Sequence, residues 1–110
     1  MNGAPATHAD KLISQLLIDD PDMRDIVEEF VAGLPVRLDE LRTAYAKLDW
    51  QSLTTYAHRI KGAAGSYGYP QISALGATME THFKSQRADD FAKWAEQFSQ
   101  FARAAKAGLQ

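Results

Sequence analysis

From Leu53 to Tyr67 the apolar residues Leu53, Ala57, Ile60, Ala64 and Tyr67 fall at steps of 4, 3, 4 and 3. That rhythm puts all five on one side of an α-helix, and no β-strand has it. The same spacing governs most of the chain, while the alternating β-branched runs that announce strands are missing. A sequence of 110 residues built this way is expected to fold as a single all-α domain covering residues 1–110.

The breaks in the rhythm divide the chain. Residues 1–9 carry no pattern and read as loose; Leu12, Ile13, Leu16 and Leu17 then mark a short amphipathic helix. Asp20 is placed to cap a helix and Pro21 to occupy its first position. Val27, Phe30, Leu34, Leu38, Leu41, Tyr45 and Leu48 predict one long helix from there, with a kink or a division into two segments at Gly33 and Pro35. Asp49 is the expected cap of the next helix, which Gly68 ends, and Pro70 restarts the chain. Ile72, Leu75, Met79 and Phe83 define a further helix. The segment 85–90 is polar and turn-like, with Asp89 as the expected cap of a last helix on Phe91, Trp94, Phe98, Phe101 and Ala105. Short connections between these elements favour an antiparallel up-down four-helix bundle with a short additional N-terminal helix.

Composition narrows the function classes. A net charge of −2 with no basic stripe argues against nucleic acid, and the absence of cysteine removes thiolate catalysis and finger-type zinc sites. No apolar run reaches the ~20 residues that span a bilayer, and the N-terminus lacks the basic-then-apolar order of a signal peptide. A cytoplasmic location follows as the expectation. The initial methionine and the lack of a linker point to a free-standing protein.

One face of the Leu53–Tyr67 helix does not fit a core. His58, Lys61, Gly62 and Gly65 stand at i, i+3, i+4 and i+7 and share a side. Two glycines inside a helix are unfavourable by roughly 0.8–1.0 kcal/mol each against alanine. Their benefit should be steric, admitting either another helix or a bulky partner. A neutral imidazole is nucleophilic near pH 7, and a lysine one turn away can offset an acquired negative charge. Reflecting the chain about Tyr69 brings His58 level with Glu80. A carboxylate there could hold one ring nitrogen and leave the other free.

The run Ala57-His58-Arg59-Ile60-Lys61-Gly62-Ala63-Ala64-Gly65-Ser66-Tyr67-Gly68 resembles the signature of histidine-containing phosphotransfer (HPt) domains. The likeness spans about residues 10–105: Phe30 to Leu41, with Pro35 inside, is similar to the family's second helix, and Asp49 fits before the histidine helix. The segment after Glu80 departs from it in lacking a small, Gly-containing turn. The resemblance implies a phosphocarrier without kinase activity of its own, in which His58 is phosphorylated on Nε2 and Lys61 supports the phosphoryl charge. It implies that Gly62 gives clearance to the receiver domain, and Gly65 on the same face is a further candidate for contact with the partner. Glu80 takes the position where chemotaxis-type domains carry a glutamate bonded to the active histidine. The implied partners are response-regulator receiver domains or a hybrid sensor histidine kinase. The receiver supplies the aspartate and Mg²⁺, and this chain needs no cofactor or metal. Leu12, Leu16, Leu17 and Ile26 are the expected docking residues around the histidine, on a protein that works as a monomer. Two other functions compete: a helical interaction module that binds a receiver or kinase without carrying phosphate, and a metal site of His58, Glu80 and His82. The second lacks a fourth ligand, and Lys61 would repel a cation there.

Overall fold

In the computed structural model, which describes residues 11–110, every regular element is helical. A short α1 (Gln15–Asp19) and a 3₁₀ turn (Pro21–Met23) lead into α2 (Arg24–Ala32), α3 (Leu34–Ala46), α4 (Trp50–Ser66), α5 (Pro70–Lys84) and α6 (Phe91–Gly108). The loose segment expected at residues 1–9, with His8 in it, lies outside the described residues.

The long second helix divides where its sequence said it must. Gly33 closes α2, its N–H donating to the Glu29 and Phe30 carbonyls at 3.1 Å, and Pro35 opens α3, where a missing N–H is harmless. One apolar stripe runs across the break: Val27, Phe30 and Val31, then Leu34, Leu38, Leu41 and Ala44, all buried. Three expectations fail at its ends, the first at Tyr45, which is exposed and stacks on the Phe91 ring at 4.0 Å. Asp20 does cap, accepting from the Asp22 N–H at 3.2 Å, but the turn that follows is 3₁₀ and the α-helix proper starts at Arg24. Leu48 belongs to no stripe: α3 stops at Ala46, and Leu48 stands in the turn beyond it at φ 50°, more than half exposed.

The N-terminal apolar cluster is also corrected. Leu12 and Ile13 lie outside any helix, because Ser14 caps α1 by accepting from the Leu17 N–H at 3.2 Å. The segment is tied to α6 and to the turn after α4. The Leu12 N–H donates to the Ala104 carbonyl at 2.9 Å and the Gln15 N–H to the Gly68 carbonyl at 2.8 Å, while the Ser14 hydroxyl donates to the Tyr67 carbonyl at 2.6 Å. Gly68 permits this twice over. Its φ of 88° suits glycine, and a Cβ there would stand 2.4 Å from the Leu16 nitrogen.

Asp49 caps α4 as expected, accepting from the Ser52 N–H at 3.1 Å and the Ser52 hydroxyl at 2.7 Å. Those hydrogen bonds favour the carboxylate and lower its pKa. Between α5 and α6 the turn takes its left-handed residue from Gln86, at φ 54°. Asp89 does not cap α6. Asp90 occupies that place without a side-chain cap bond, and Asp89 faces Arg87 at 3.5 Å.

The helix α4 packs along α5 and against α3, and α6 packs against α2, α3 and α5. Leu53, Ala57, Ile60 and Ala64 of α4 meet Ile72, Leu75, Met79 and Phe83 of α5 and Trp94 and Phe98 of α6 in one buried cluster. Phe101, expected in the core, is only partly buried against it. Among the described residues no helix is long and apolar enough to cross a membrane.

Candidate functional site

Helix α4 turns its apolar stripe inward, so the residues one position along from that stripe face outward. His58 follows buried Ala57, and its side chain is 65% exposed. Opposite it on α5 is Glu80, a carboxylate only 8% exposed. The His58 Nδ1 lies 2.9 Å from Glu80 Oε2. An ionised carboxylate only accepts, so Nδ1 carries the proton in this pair and Nε2 keeps a lone pair directed away from Glu80. Lys61, one turn on from His58, reaches the other oxygen: its Nζ is 2.9 Å from Glu80 Oε1. The structure thus brings His58, Lys61 and Glu80 together. Lys61 is held by Glu80 rather than standing free beside the imidazole.

Glu80 is the hub of this cluster. The Lys61 hydrogen bond does most to hold its carboxyl down to about 2, with His58 adding to it, against the opposing effect of burial. Its lowered pKa has a consequence for the whole fold. Since the native carboxyl binds its proton less readily than the unfolded one, with its ordinary value of 4.5, Glu80 stabilises the native state above pH 4.5. That contribution disappears as pH falls from 4.5 to about 2. Chemical unfolding measured across that window should show a stability loss that is shallower in Glu80→Gln. Parallel curves for the two proteins would contradict the linkage.

Three residues of this site escaped the sequence reading. At Gly76 the backbones of α4 and α5 approach closely: a Cβ on it would stand 2.8 Å from the Lys61 nitrogen and 3.1 Å from both the Ala57 carbonyl oxygen and Lys61 Cα. The Ser73 hydroxyl donates to the Lys61 carbonyl at 2.8 Å. Ser73 and Gly76 fall at i and i+3 on the face that carries Glu80 at i+7, and this pair of small residues would have signalled the contact. Lys84, at i+4 from Glu80, has its Nζ 3.5 Å from Glu80 Oε2. That spacing was legible as well.

The two glycines of the histidine face differ from Gly76. A Cβ on Gly62 would meet nothing within 4 Å, and one on Gly65 would touch only the Ser73 side chain, at 3.4 Å. Helix packing therefore does not account for Gly62, and the surface beside His58 is left low. Of the expected docking residues, Leu12 is excluded from such a role here: it is 4% exposed and part of the core. Leu16 and Leu17 are partly buried, and Leu16 lies by Gly68, about 15 Å along α4 from His58. Ile26 is exposed. His82 is turned elsewhere, its Nδ1 2.9 Å from the Thr78 carbonyl and its ring edge-on to Trp94.

No curated protein and no solved structure matches the chain significantly. A family model does, over residues 25–108: that of the Hpt domain. The matched span holds the broken α2–α3 helix, the α4 face with its exposed imidazole, the Glu80 hub and all of α6, and the chain accordingly belongs to the Hpt domain family.

Proposed function

We propose that this chain is a phosphorelay intermediate: His58 accepts a phosphoryl group from the aspartate of one response-regulator receiver domain and passes it to another. Hpt domains are phosphocarriers, not kinases, and the family works with receivers and sensor kinases. One observation carries the assignment to His58, namely an exposed ring whose Nδ1 is bonded at 2.9 Å to a buried carboxylate. In the forward step Nε2 forms a bond to phosphorus as the acyl phosphate P–O bond breaks, and the aspartate leaves as carboxylate. Positive charge developing on the ring is met by Glu80 through the Nδ1–H. The negative charge of the phosphoryl group is met by Lys61, which exchanges Glu80 for a phosphoryl oxygen. Catalysis on this side consists of orientation and electrostatics. The receiver brings its own Mg²⁺, and none is assigned to this chain.

Gly62 is read as clearance for that receiver, with Gly65 and exposed Ile26 beside the approach. We infer also that α2–α3, α4, α5 and α6 form an up-down antiparallel four-helix bundle. The pairing of His58 with Glu80 and of Gly65 with Ser73 supports opposite directions for α4 and α5. A monomer presenting one such face in the cytoplasm meets the requirements of the role.

Incubation with the phosphorylated receivers of the source organism tests the proposal. One of them should transfer label to this chain as acid-labile, base-stable phosphate, and mass spectrometry should place it on the peptide containing His58. Stable binding to a receiver without any such phosphate would instead identify a non-catalytic interaction module.

A further inference from the structure

Lys84 has no part in the scheme above, yet it touches the same carboxylate. Its ammonium approaches Glu80 Oε2, the oxygen that also takes the His58 Nδ1 hydrogen bond, from the last turn of α5, whereas Lys61 arrives from α4. As an ordinary i, i+4 pair on a helix surface it would be of small consequence. Its position beside the imidazole and the local charge balance say more. With His58 neutral, one carboxylate faces two ammoniums, so the cluster carries a positive charge in excess. Transfer of a phosphoryl group to Nε2 adds one net negative charge while Nδ1 keeps its proton, about two negative charges on the phosphoryl oxygens set against one positive charge on the ring. With both lysines present, the modified cluster is close to neutral; with Lys61 alone it is left with an uncompensated negative charge.

We propose that Lys84 is a second phosphoryl-binding cation, kept on Glu80 while His58 is bare and moving to a phosphoryl oxygen once His58 is modified. The proposal rests on the phosphotransfer reading of His58. Lys84 is suited to the move: its side chain is 64% exposed, its contact with Glu80 is the longer of the two lysine contacts, and its stem is flexible. Glu80 does not lose its function when the lysines leave, because it retains the Nδ1–H of a ring that now carries phosphorus. The formation of the Nε2–P bond and the breaking of the donor's bond to phosphorus are unaltered. Lys84 exchanges no proton and changes only the oxygen with which it pairs.

The test uses the full chain and needs no partner. A small phosphoramidate donor phosphorylates the parent protein, Lys84→Gln and Lys84→Arg, and the ³¹P resonance of the phosphohistidine is followed against pH. The groups facing the phosphoryl are His58 and Lys61 from α4 and Glu80 and Lys84 from α5. Loss of the Lys84 charge should raise the midpoint of the last phosphoryl proton by about half a pH unit, and arginine should restore it. A role limited to pairing along the helix would alter the melting temperature slightly and leave the midpoint where it was. Phosphohistidine that forms in Lys84→Gln with the parent's midpoint overturns the Lys84 proposal alone. A parent protein that forms none overturns the phosphotransfer reading and this inference together.

Discussion

Replacing His58 by glutamine should reduce acid-labile phosphate on this chain to background while leaving its unfolding free energy within about 0.5 kcal/mol of the parent's. The separation of the two effects follows from the environment of the ring. With a side chain 65% exposed, His58 contributes little packing, so no cavity opens when it is removed. The glutamine amide can still donate to Glu80 Oε2, so the buried carboxylate keeps a partner there in addition to Lys61 and Lys84. What glutamine lacks is a nitrogen with an available lone pair, and the transfer step has no other nucleophile. His82→Gln serves as the comparison. Its ring is bonded to the Thr78 carbonyl and packed against Trp94, and its loss should leave labelling intact. Acid-labile phosphate persisting in His58→Gln would sink the assignment of the nucleophile.

Much of this site could be read from the order of residues because it depends on contacts within one helix or across one hairpin. The stripe Leu53–Tyr67 fixes which side of α4 is buried, and it leaves His58, one residue along from Ala57, on the exposed side. Glu80 was reachable because α4 and α5 are joined by a short turn at Tyr69, which sets their register. The misreadings share a physical cause. Periodicity reports burial and not the backbone that achieves it, so Leu12 looked like a helical residue open to a partner when it is a non-helical core residue bonded to Ala104, in a segment that Ser14 and Gln15 tie to Tyr67 and Gly68. Leu48 kept the spacing of its helix by chance, beyond the point where α3 had ended. The distinction between Asp89 and Asp90 depends on turn geometry, which composition does not encode. Gly76 was missed for a different reason: a glycine that admits a neighbouring backbone and one that faces solvent look alike until the neighbour is placed.

That last ambiguity gives a sharp comparison, since Gly62→Ala and Gly76→Ala are the same chemical change on adjacent helices and should act in opposite directions. At Gly62 the added methyl meets nothing, so the helix gains about 0.4–1 kcal/mol from the lower entropy of the unfolded chain. At Gly76 the same gain is outweighed. A Cβ 2.8 Å from the Lys61 nitrogen and 3.1 Å from the Ala57 oxygen presses on backbone, which cannot rotate away as a side-chain end would. Overpacking of this kind destabilises by about 1–3 kcal/mol, and the lost stability should appear as a melting temperature lower by several degrees in a domain of this size. The functional effects need not follow stability. Relief of the clash moves α5 off α4, and Glu80, one turn beyond Gly76, moves with it away from His58 and Lys61. Misplacement by about 1 Å at a reacting group lowers rates by as much as 10²-fold, so transfer to His58 in Gly76→Ala should fall at least about tenfold even where the protein is fully folded. Gly62→Ala should also slow transfer from a receiver if its bare backbone provides clearance, while leaving phosphorylation by a small phosphoramidate unchanged. Gly76→Ala should impair both, because the damage is to the orientation of the ring and not to the approach. Equal stability in the two alanine variants would mean that α4 and α5 can part without strain, and the tight seam between them would no longer explain how Glu80 is held.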